Sequence, residues 1–336
     1  MRPVTQRAAT AGRPTRRKVV ACISAVACLV GVAAACDPVD PGPTTTTSAP
    51  PTTAPTPPPS CRGSGSSATK NVAYRTVSGV APNLLSLDYY TPTRPARCGP
   101  APIVMYVHGG GFRNGDKSNK IEDKVKLFTG EGWVFASVNY RLSPDPPNDR
   151  AGQVRYPTHE QDVVAAVSWL KKNAPRLDGD PNRILLVGHS SGAYITSLIS
   201  TDTSFLTAAG LGTGNVRCTV SLDTEYDATN QIAQGGSQEI LYRNALGNDP
   251  ATWSKASPVN HTRAGAVRPK FLIYTQGVPR RTAQARAFAS ALTSGGTSAS
   301  AIDVNPLDHE AINRAVGAPG ERTVTPPLMT FLRSCT

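Results

Sequence analysis

Several patterns are missing from this sequence of 336 residues. It has no H-E-x-x-H motif and no paired Cys/His cluster, so we expect neither a metal nor another cofactor. Outside its first 35 residues it has no long run of Lys and Arg and no basic stretch interleaved with aromatic residues, and this argues against nucleic-acid binding. It also has no internal repeat. Hydrophobic residues make up 39% and charged residues 17%, so the chain can bury a sizeable core.

Acidic residues are absent from the first 35 positions. Six of the twelve net positive charges lie there, on Arg2, Arg7, Arg13, Arg16, Arg17 and Lys18. An apolar run from Val19 to Ala35 follows, and it is short and rich in Ala and Gly for a membrane span. A basic region, an apolar region and then small residues are typical of an export signal, so we predict one at residues 1–35.

The segment after this signal predicts a tether. Residues 32–36 read Val-Ala-Ala-Ala-Cys and resemble a bacterial lipobox, although Ala33 stands where Leu is usual. This resemblance implies lipidation of Cys36 and a membrane anchor, whereas cleavage near Ala35 without lipidation would leave a secreted protein. Residues 36–60 are almost all Pro, Thr and Ala, a composition that stays extended and does not pack, so we predict a linker.

Four cysteines lie beyond the linker, and they allow three pairings. Cys61 precedes the first predicted strand and Cys98 follows the second. A hairpin of these strands would bring the two cysteines together, and Cys218 and Cys335 would then form the other pair. Disulfides are typical of an oxidising, exported setting, and four free thiols are the alternative.

Residues 61–336 are predicted to form one α/β domain. Its eight strand-like runs are Asn71–Val77, Leu84–Tyr90, Ile103–His108, Trp133–Asn139, Ile184–Gly188, Arg217–Leu222, Lys270–Thr275 and Ala301–Val304. The first two suit an antiparallel hairpin, and the later ones alternate with helical patterns, of which the clearest are Thr158–Ala174, Gly192–Ser200 and Thr282–Thr293. This order predicts a mostly parallel eight-stranded sheet flanked by helices.

A G-x-S-x-G motif at positions 188–192 follows the fifth predicted strand and has Ser190 at its centre. A serine hydroxyl becomes a good nucleophile only when a base takes its proton, and a sharp strand-to-helix turn lifts the hydroxyl within reach of that base. The alternative is a turn of small residues without a chemical role.

Two further segments follow predicted strands, and in such sheets sites gather at the carboxyl ends of the strands. Residues 108–112 read His-Gly-Gly-Gly-Phe, and three adjacent glycines are costly in conformational entropy unless bare backbone is required. Free amides aimed at one point would form an oxyanion hole, and a flexible loop is the alternative. His309 lies just beyond the eighth predicted strand, where it could meet Ser190, although an isolated histidine could equally lie on the surface.

These segments resemble those of the α/β-hydrolase fold, in particular its esterase branch of hormone-sensitive-lipase-like, feruloyl-esterase-like and arylformamidase-like enzymes. The shared segments are residues 108–112, 139–142, 180–184, 188–192 and 308–313, in the order that the family has. The resemblance implies that Ser190 is the nucleophile and that His309 is the general base. It also implies that the amides of Gly110, Gly111 and Ser191 hold the oxyanion.

One departure concerns the acid that orients the histidine. The family usually supplies it shortly after the seventh strand, but no Asp or Glu occurs from Phe271 to Ile302, and Arg280 and Arg281 stand there instead. Asp223, at the end of the neighbouring sixth strand, is the preferred candidate, with Glu225 or Asp227 next. The alternative is that all three are loop acids, paired with Arg280 or Arg281.

These expectations combine into an exported serine hydrolase that cleaves carboxylic esters. The short glycine loop and the absence of a long apolar lid favour short acyl groups on a small-molecule ester. An amidase or formamidase with the same machinery remains open. A catalytically impaired binding protein with this fold also remains open, since the acid is missing from its usual place.

Overall fold

In this computed structural model, residues 61–145, 147–148 and 150–336 are described. The predicted export signal, the linker and Cys36 lie outside them. Apolar runs pair into one sheet of eight strands: β1 Ser66–Ala73, β2 Ser86–Pro92, β3 Ala101–Val107, β4 Val134–Val138, β5 Gly179–His189, β6 Val216–Leu222, β7 Lys270–Thr275 and β8 Ala299–Asp303. The strand order is β1-β2-β4-β3-β5-β6-β7-β8. The pairs β1–β2 and β2–β4 are antiparallel and all others are parallel, which confirms the predicted mostly parallel sheet.

Helices connect these strands and cover both faces of the sheet. They are α1 Glu122–Gly130, α2 Thr158–Asn173, α3 Ser191–Thr201, α4 Ser204–Ala208, α5 Ala228–Ala233, α6 Gly236–Leu246, α7 Pro250–Ala256, α8 Pro279–Ser294, α9 His309–Ala315 and α10 Thr325–Arg333. Short 3-10 turns occupy Pro82–Leu85, Ala96–Cys98, Ala174–Leu177 and Pro258–His261. None of the helices in the described ranges is long and apolar enough to cross a membrane.

The central strands supply side chains to two cores. Successive side chains of a strand point to opposite faces, so Ile103 and Met105 of β3 pack with α2 and α3, whereas Val104 and Tyr106 pack with α1 and α10. All seven residues of β3 are buried, as expected for a parallel strand covered on both faces. The sheet is therefore a rigid base for the loops at the carboxyl ends of its strands.

The predicted position of the first strand was wrong. It was expected at Asn71–Val77, but β1 is Ser66–Ala73 and pairs with β2 from Ser66 opposite Pro92 onwards. The strand lies at the edge of the sheet and is almost entirely exposed, so its polar residues carry no apolar alternation that could reveal it. Asn71 has a positive φ of 57°, and the register of the pairing shifts between Thr69 and Val72.

Two disulfides close the domain. Cys61 bonds to Cys98, which joins the chain before β1 to the turn after β2, and Cys218 of β6 bonds to Cys335 after α10. The sequence favoured both pairs. They tie an exposed edge strand and the C-terminal helix to the body of the sheet.

Candidate active site

Ser190 lies at the turn between β5 and α3 with strained backbone angles of φ 53° and ψ −124°. A residue with a side chain rarely adopts this region, and the surrounding structure must hold it there. The Ser190 amide donates to the carbonyl of Leu222 at 3.0 Å, which ties the turn to the end of β6. A side chain at Gly188 would collide with the carbonyl oxygen of Gly192, and one at Gly192 with the carbonyl oxygens of Val107 and His108. The two glycines therefore allow α3 to start directly against β3.

His309 is the first residue of α9, which follows β8. The Asp308 side chain caps this helix by accepting from the amide of Ala311 at 2.6 Å. The Nε2 atom of His309 lies 2.9 Å from Ser190 Oγ. The structure thus brings together two predicted residues that are 119 positions apart, at hydrogen-bonding distance.

Asp223 completes a chain of three hydrogen-bonded groups. It follows β6 with a positive φ of 50°, its side chain is fully buried, and its Oδ2 atom lies 2.5 Å from His309 Nδ1. Because a carboxylate can only accept, Nδ1 carries the proton and Nε2 is left to accept the Ser190 hydroxyl. Burial alone would raise the pKa of Asp223, but the hydrogen bond to His309 and the charge of Arg281 outweigh it and hold that pKa below its ordinary value.

The other two candidate acids lie elsewhere. Asp227 caps α5 by accepting from the amide of Asn230 at 3.0 Å. Glu225 pairs with Arg281 at 2.9 Å, and the same guanidinium contacts Asp223 at 2.7 Å. The alternative of loop acids paired with arginine thus describes part of the arrangement, but Asp223 contacts His309 as well as Arg281. Arg280 binds the side-chain oxygen of Gln231 instead.

The glycine loop after β3 passes directly beside the serine. A Cβ atom at Gly109 would stand 2.9 Å from Ser190 Cβ, so only glycine allows this approach. Gly110 and Gly111 follow with φ of 125° and 60°, in the region that favours glycine. Within the described residues, no group accepts a hydrogen bond from the amide of Gly110 or Gly111. The Ser191 amide, at the start of α3, belongs to the first turn, where amides have no partner within the helix.

Two side chains to which the sequence analysis assigned no role hold the elements of the site together. Tyr140, fully buried, places its hydroxyl 3.2 Å from the carbonyl oxygen of His108 and 3.3 Å from Ser191 Oγ. His189 Nε2 lies 2.9 Å from the carbonyl oxygen of His309, so it ties the turn to α9. Burial, followed by the nearby His309, lowers the pKa of His189 to about 4, and this ring is neutral at neutral pH. Its place within the G-x-S-x-G motif was the only sequence signal for this role.

One group of side chains has the composition of a metal site. In the described part of the chain, potential ligand atoms of His189, His309 and Glu310 lie within 4.8 Å of one another. Both His309 nitrogens and His189 Nε2 are already engaged in hydrogen bonds, and Glu310 pairs with Lys120 at 2.5 Å. We therefore assign no metal to these residues.

The strained serine after β5, the histidine after β8 and the mostly parallel sheet define an α/β-hydrolase. The chain belongs to the BD-FAE family, whose profile matches residues 87–277. This range contains Ser190, Asp223 and the glycine loop, and it ends before Arg281 and His309.

Curated relatives have names of ester hydrolases. Esterase LipQ of Mycobacterium tuberculosis is 25% identical over 242 residues, which cover 69% of this chain and 55% of LipQ. Carboxylesterase NlhH from the same species is 34% identical over 99 residues, covering 30% of this chain and 28% of NlhH. The chain thus spans about half of LipQ and less of the other relative.

Solved structures share the fold. Esterase B of Lactobacillus rhamnosis superposes with a TM-score of 0.66 at 17% identity and covers 82% of this chain and 87% of its own. The esterase of the archaeon Pyrobaculum calidifontis gives a TM-score of 0.61 at 20% identity, with coverage of 74% and 80%. At these identities the similarity establishes the architecture of the sheet and its helices.

Proposed function

We propose that this protein is a serine hydrolase that cleaves carboxylic esters through an acyl-enzyme on Ser190. The observation that carries the proposal is the continuous contact from Ser190 Oγ through the His309 ring to the buried carboxylate of Asp223. A serine alone is a weak nucleophile, and this chain supplies the base that activates it and the charge that stabilises the protonated base.

The reaction divides into two acyl transfers. Ser190 Oγ attacks the ester carbonyl carbon while His309 Nε2 takes the hydroxyl proton. The tetrahedral intermediate collapses as the C–O bond to the alcohol breaks, and His309 returns the proton to the leaving alcohol. Water then attacks the acyl-enzyme with His309 again as the base, and the carboxylic acid and free Ser190 result.

The oxyanion of each intermediate is assigned to the amides of Gly110, Gly111 and Ser191. The support is the close approach of the loop at Gly109 to Ser190 and the lack of acceptors for the two glycine amides in the described residues. Removal of one such donor typically costs about 2.7–4 kcal/mol of transition-state stabilisation.

Two alternatives lose support. The impaired binding protein was favoured by the missing acid after the seventh strand, and Asp223 contacts His309 from β6 instead. An amidase would use the same groups, but the curated relatives are named esterases and carboxylesterases. Comparing the hydrolysis of p-nitrophenyl acetate with that of an aryl formamide tests this preference, which predicts faster turnover of the ester.

The substrate class proposed is a short-acyl ester. The short glycine loop and the absence of a long apolar lid segment from the sequence support this preference. The test is a series of p-nitrophenyl esters from acetate to palmitate, with Ser190→Ala as the control. We expect kcat/KM to be highest at the short end and absent in the variant, and equal activity in Ser190→Ala would contradict the assignment of the nucleophile.

We also propose that the protein is exported and held at the membrane by a lipid on Cys36. The basic and apolar N-terminal pattern supports export, and the two disulfides suit an oxidising compartment. Palmitate labelling of the full chain in a bacterial host should mark the wild type and not Cys36→Ser. Labelling that persists in the variant, or an unlabelled wild type, would overturn the lipid anchor.

A further inference from the structure

Arg281 occupies the place after β7 where the resemblance led us to expect an acid. It lies on the first turn of α8, and its side chain is 17% exposed. Its two terminal nitrogens contact different carboxylates, Nη1 at 2.7 Å from Asp223 Oδ2 and Nη2 at 2.9 Å from Glu225 Oε1. The guanidinium is therefore a clamp between two acids of the loop after β6, hydrogen-bonded to Asp223 and ion-paired with Glu225.

This clamp fixes the orientation of Asp223. The Oδ2 atom of Asp223 accepts from Arg281 and from His309, and its Oδ1 atom lies 3.2 Å from the amide of Gln276, which donates to it. Glu225 in turn accepts from the Tyr242 hydroxyl at 3.3 Å. With both carboxylate oxygens held, rotation of Asp223 away from His309 would break several charged hydrogen bonds at once.

The same contacts bring a positive charge beside the histidine. Arg281 Nη1 lies 3.2 Å from His309 Nδ1, so the guanidinium opposes the positive charge that the ring gains during catalysis. Asp223 and Arg281 alone would sum to zero. Glu225 adds one negative charge, and the three groups together carry the same net −1 as the single carboxylate of an ordinary triad. When His309 is protonated the cluster is neutral, which limits the cost of charge in a largely buried site.

Four other titratable groups near His309 or its partners are either neutral or paired. His189 is neutral at neutral pH, and Glu310 pairs with Lys120. Burial raises the pKa of Tyr242 and that of Tyr226 far above the neutral range, so neither adds charge. Changes in the charge of the cluster can thus be attributed to Arg281 and Glu225.

We infer that Arg281 and Glu225 form a positioning pair, in which Arg281 holds Asp223 against His309 and Glu225 restores the negative charge that Arg281 cancels. The inference rests on the proposed function of Ser190 and His309. Arg281 and Glu225 do not contact the serine, and they act through Asp223 and the histidine ring.

The test uses opposite changes in charge at two sites. In Arg281→Gln the cluster gains negative charge, and the low-pH limb of kcat/KM for p-nitrophenyl acetate should move up by about one pH unit. In Glu225→Gln the cluster loses one negative charge, and the low-pH limb of kcat/KM should move down by about half a pH unit. The double variant restores the net charge, so its limb should return close to the wild-type position while kcat stays low.

A conservative variant separates the positioning of Asp223 by Arg281 from the effect of the arginine charge. Arg281→Lys keeps the charge but cannot bridge two carboxylates with one planar group. We expect its low-pH limb to stay near that of the wild type, its KM to be unchanged and its kcat to fall by about tenfold or more, since misplaced catalytic groups cost about that much. Arg280→Gln removes the same charge one residue away, where the side chain binds Gln231, and serves as the matched control with a wild-type profile.

Titration of the His309 ring by NMR gives a readout that does not need turnover. The midpoint of that titration should move up in Arg281→Gln and down in Glu225→Gln, in proteins whose circular dichroism matches the wild type. Shifts in the same direction, or no shift in either variant, would overturn the inference. A wild type without serine-dependent esterase activity but with the opposite NMR shifts would refute the proposed function and leave the charge pairing supported.

Discussion

Two buried carboxyl groups of this protein have opposite surroundings. Asp223 contacts His309, Arg281 and the amide of Gln276, whereas neither oxygen of Glu160, in the first turn of α2, has a hydrogen-bond partner in the described part of the chain. The partners lower the pKa of Asp223. Burial raises the pKa of Glu160 to about 7, against the opposing effect of its own backbone amide and with a smaller upward effect of the nearby Asp162. Burial alone therefore does not decide the charge of a carboxyl group, because partners such as those of Asp223 can outweigh it.

Asp223 matters for function and Glu160 for stability. Asp223 remains ionised because it is built into a charged cluster that includes a proposed catalytic base. Glu160 has no charged partner in the described part of the chain, so ionising it near and above pH 7 costs free energy of folding. Variants at the two positions should differ in which property they change.

Asp223→Asn should have the largest effect. An asparagine amide would favour the wrong tautomer of His309, and such a change typically lowers kcat by about 10⁴-fold. Arg281 keeps Glu225 as a partner, so we expect the variant to stay folded. Steady-state kinetics with p-nitrophenyl acetate and thermal unfolding measure the two properties, and wild-type rates would show that Asp223 does not orient the base.

Glu160→Gln should stabilise the protein and leave its activity unchanged. Between pH 4.5, the ordinary pKa of a glutamate, and about 7, the folded state holds a proton that the unfolded state releases, so this group's contribution to stability falls as pH rises. Glu160→Gln does not titrate at this position and so does not lose stability in this way as pH rises. Its advantage in unfolding free energy over the wild type should grow by about 2 kcal/mol from pH 5 to pH 8, measured by urea denaturation.

The measured quantity is the difference in unfolding free energy between Glu160→Gln and the wild type. The wild-type value alone is not sufficient, because burial lowers the pKa of His159 to about 3 and makes stability rise with pH in part of the same range. An advantage that is constant with pH would mean that Glu160 does not titrate as a buried, unpaired acid.

Asp227→Ala should have the smallest effect. Asp227 lies in the same loop as Asp223 but caps α5, and loss of a helix cap costs about 1 kcal/mol. Its kcat/KM should stay near the wild-type value because it contacts no group of the site. A large loss of activity would show that any acid of this loop matters and would weaken the distinction drawn for Asp223.

The parts of the site that could be predicted lie in short contiguous segments. The turn at Ser190 and the loop at Gly110 are specified by their own residues, since strained turns and close backbone contacts restrict which residues fit. The buried strands of the sheet could also be predicted, because each of them is a short apolar run. Its edge strand β1 was placed wrongly because exposed backbone pairing leaves no apolar pattern.

The remaining features depend on packing between distant segments. Asp223 could be proposed because the carboxyl end of β6 lies beside that of β7, but the clamp of Arg281 on two acids requires the exact direction of α8. Glu160 follows a histidine on a helix whose apolar face was evident, and only the packed structure shows that its carboxyl group is buried without a partner.

The most direct test is the rate and position of phosphonylation by a fluorophosphonate ester. Peptide mapping by mass spectrometry should find one adduct, on Ser190, formed about 10³-fold faster in the wild type than in Asp223→Asn, since both need the same activated oxygen. An adduct on another serine, or equal rates in the two proteins, would contradict the arrangement of Ser190, His309 and Asp223 as one catalytic unit.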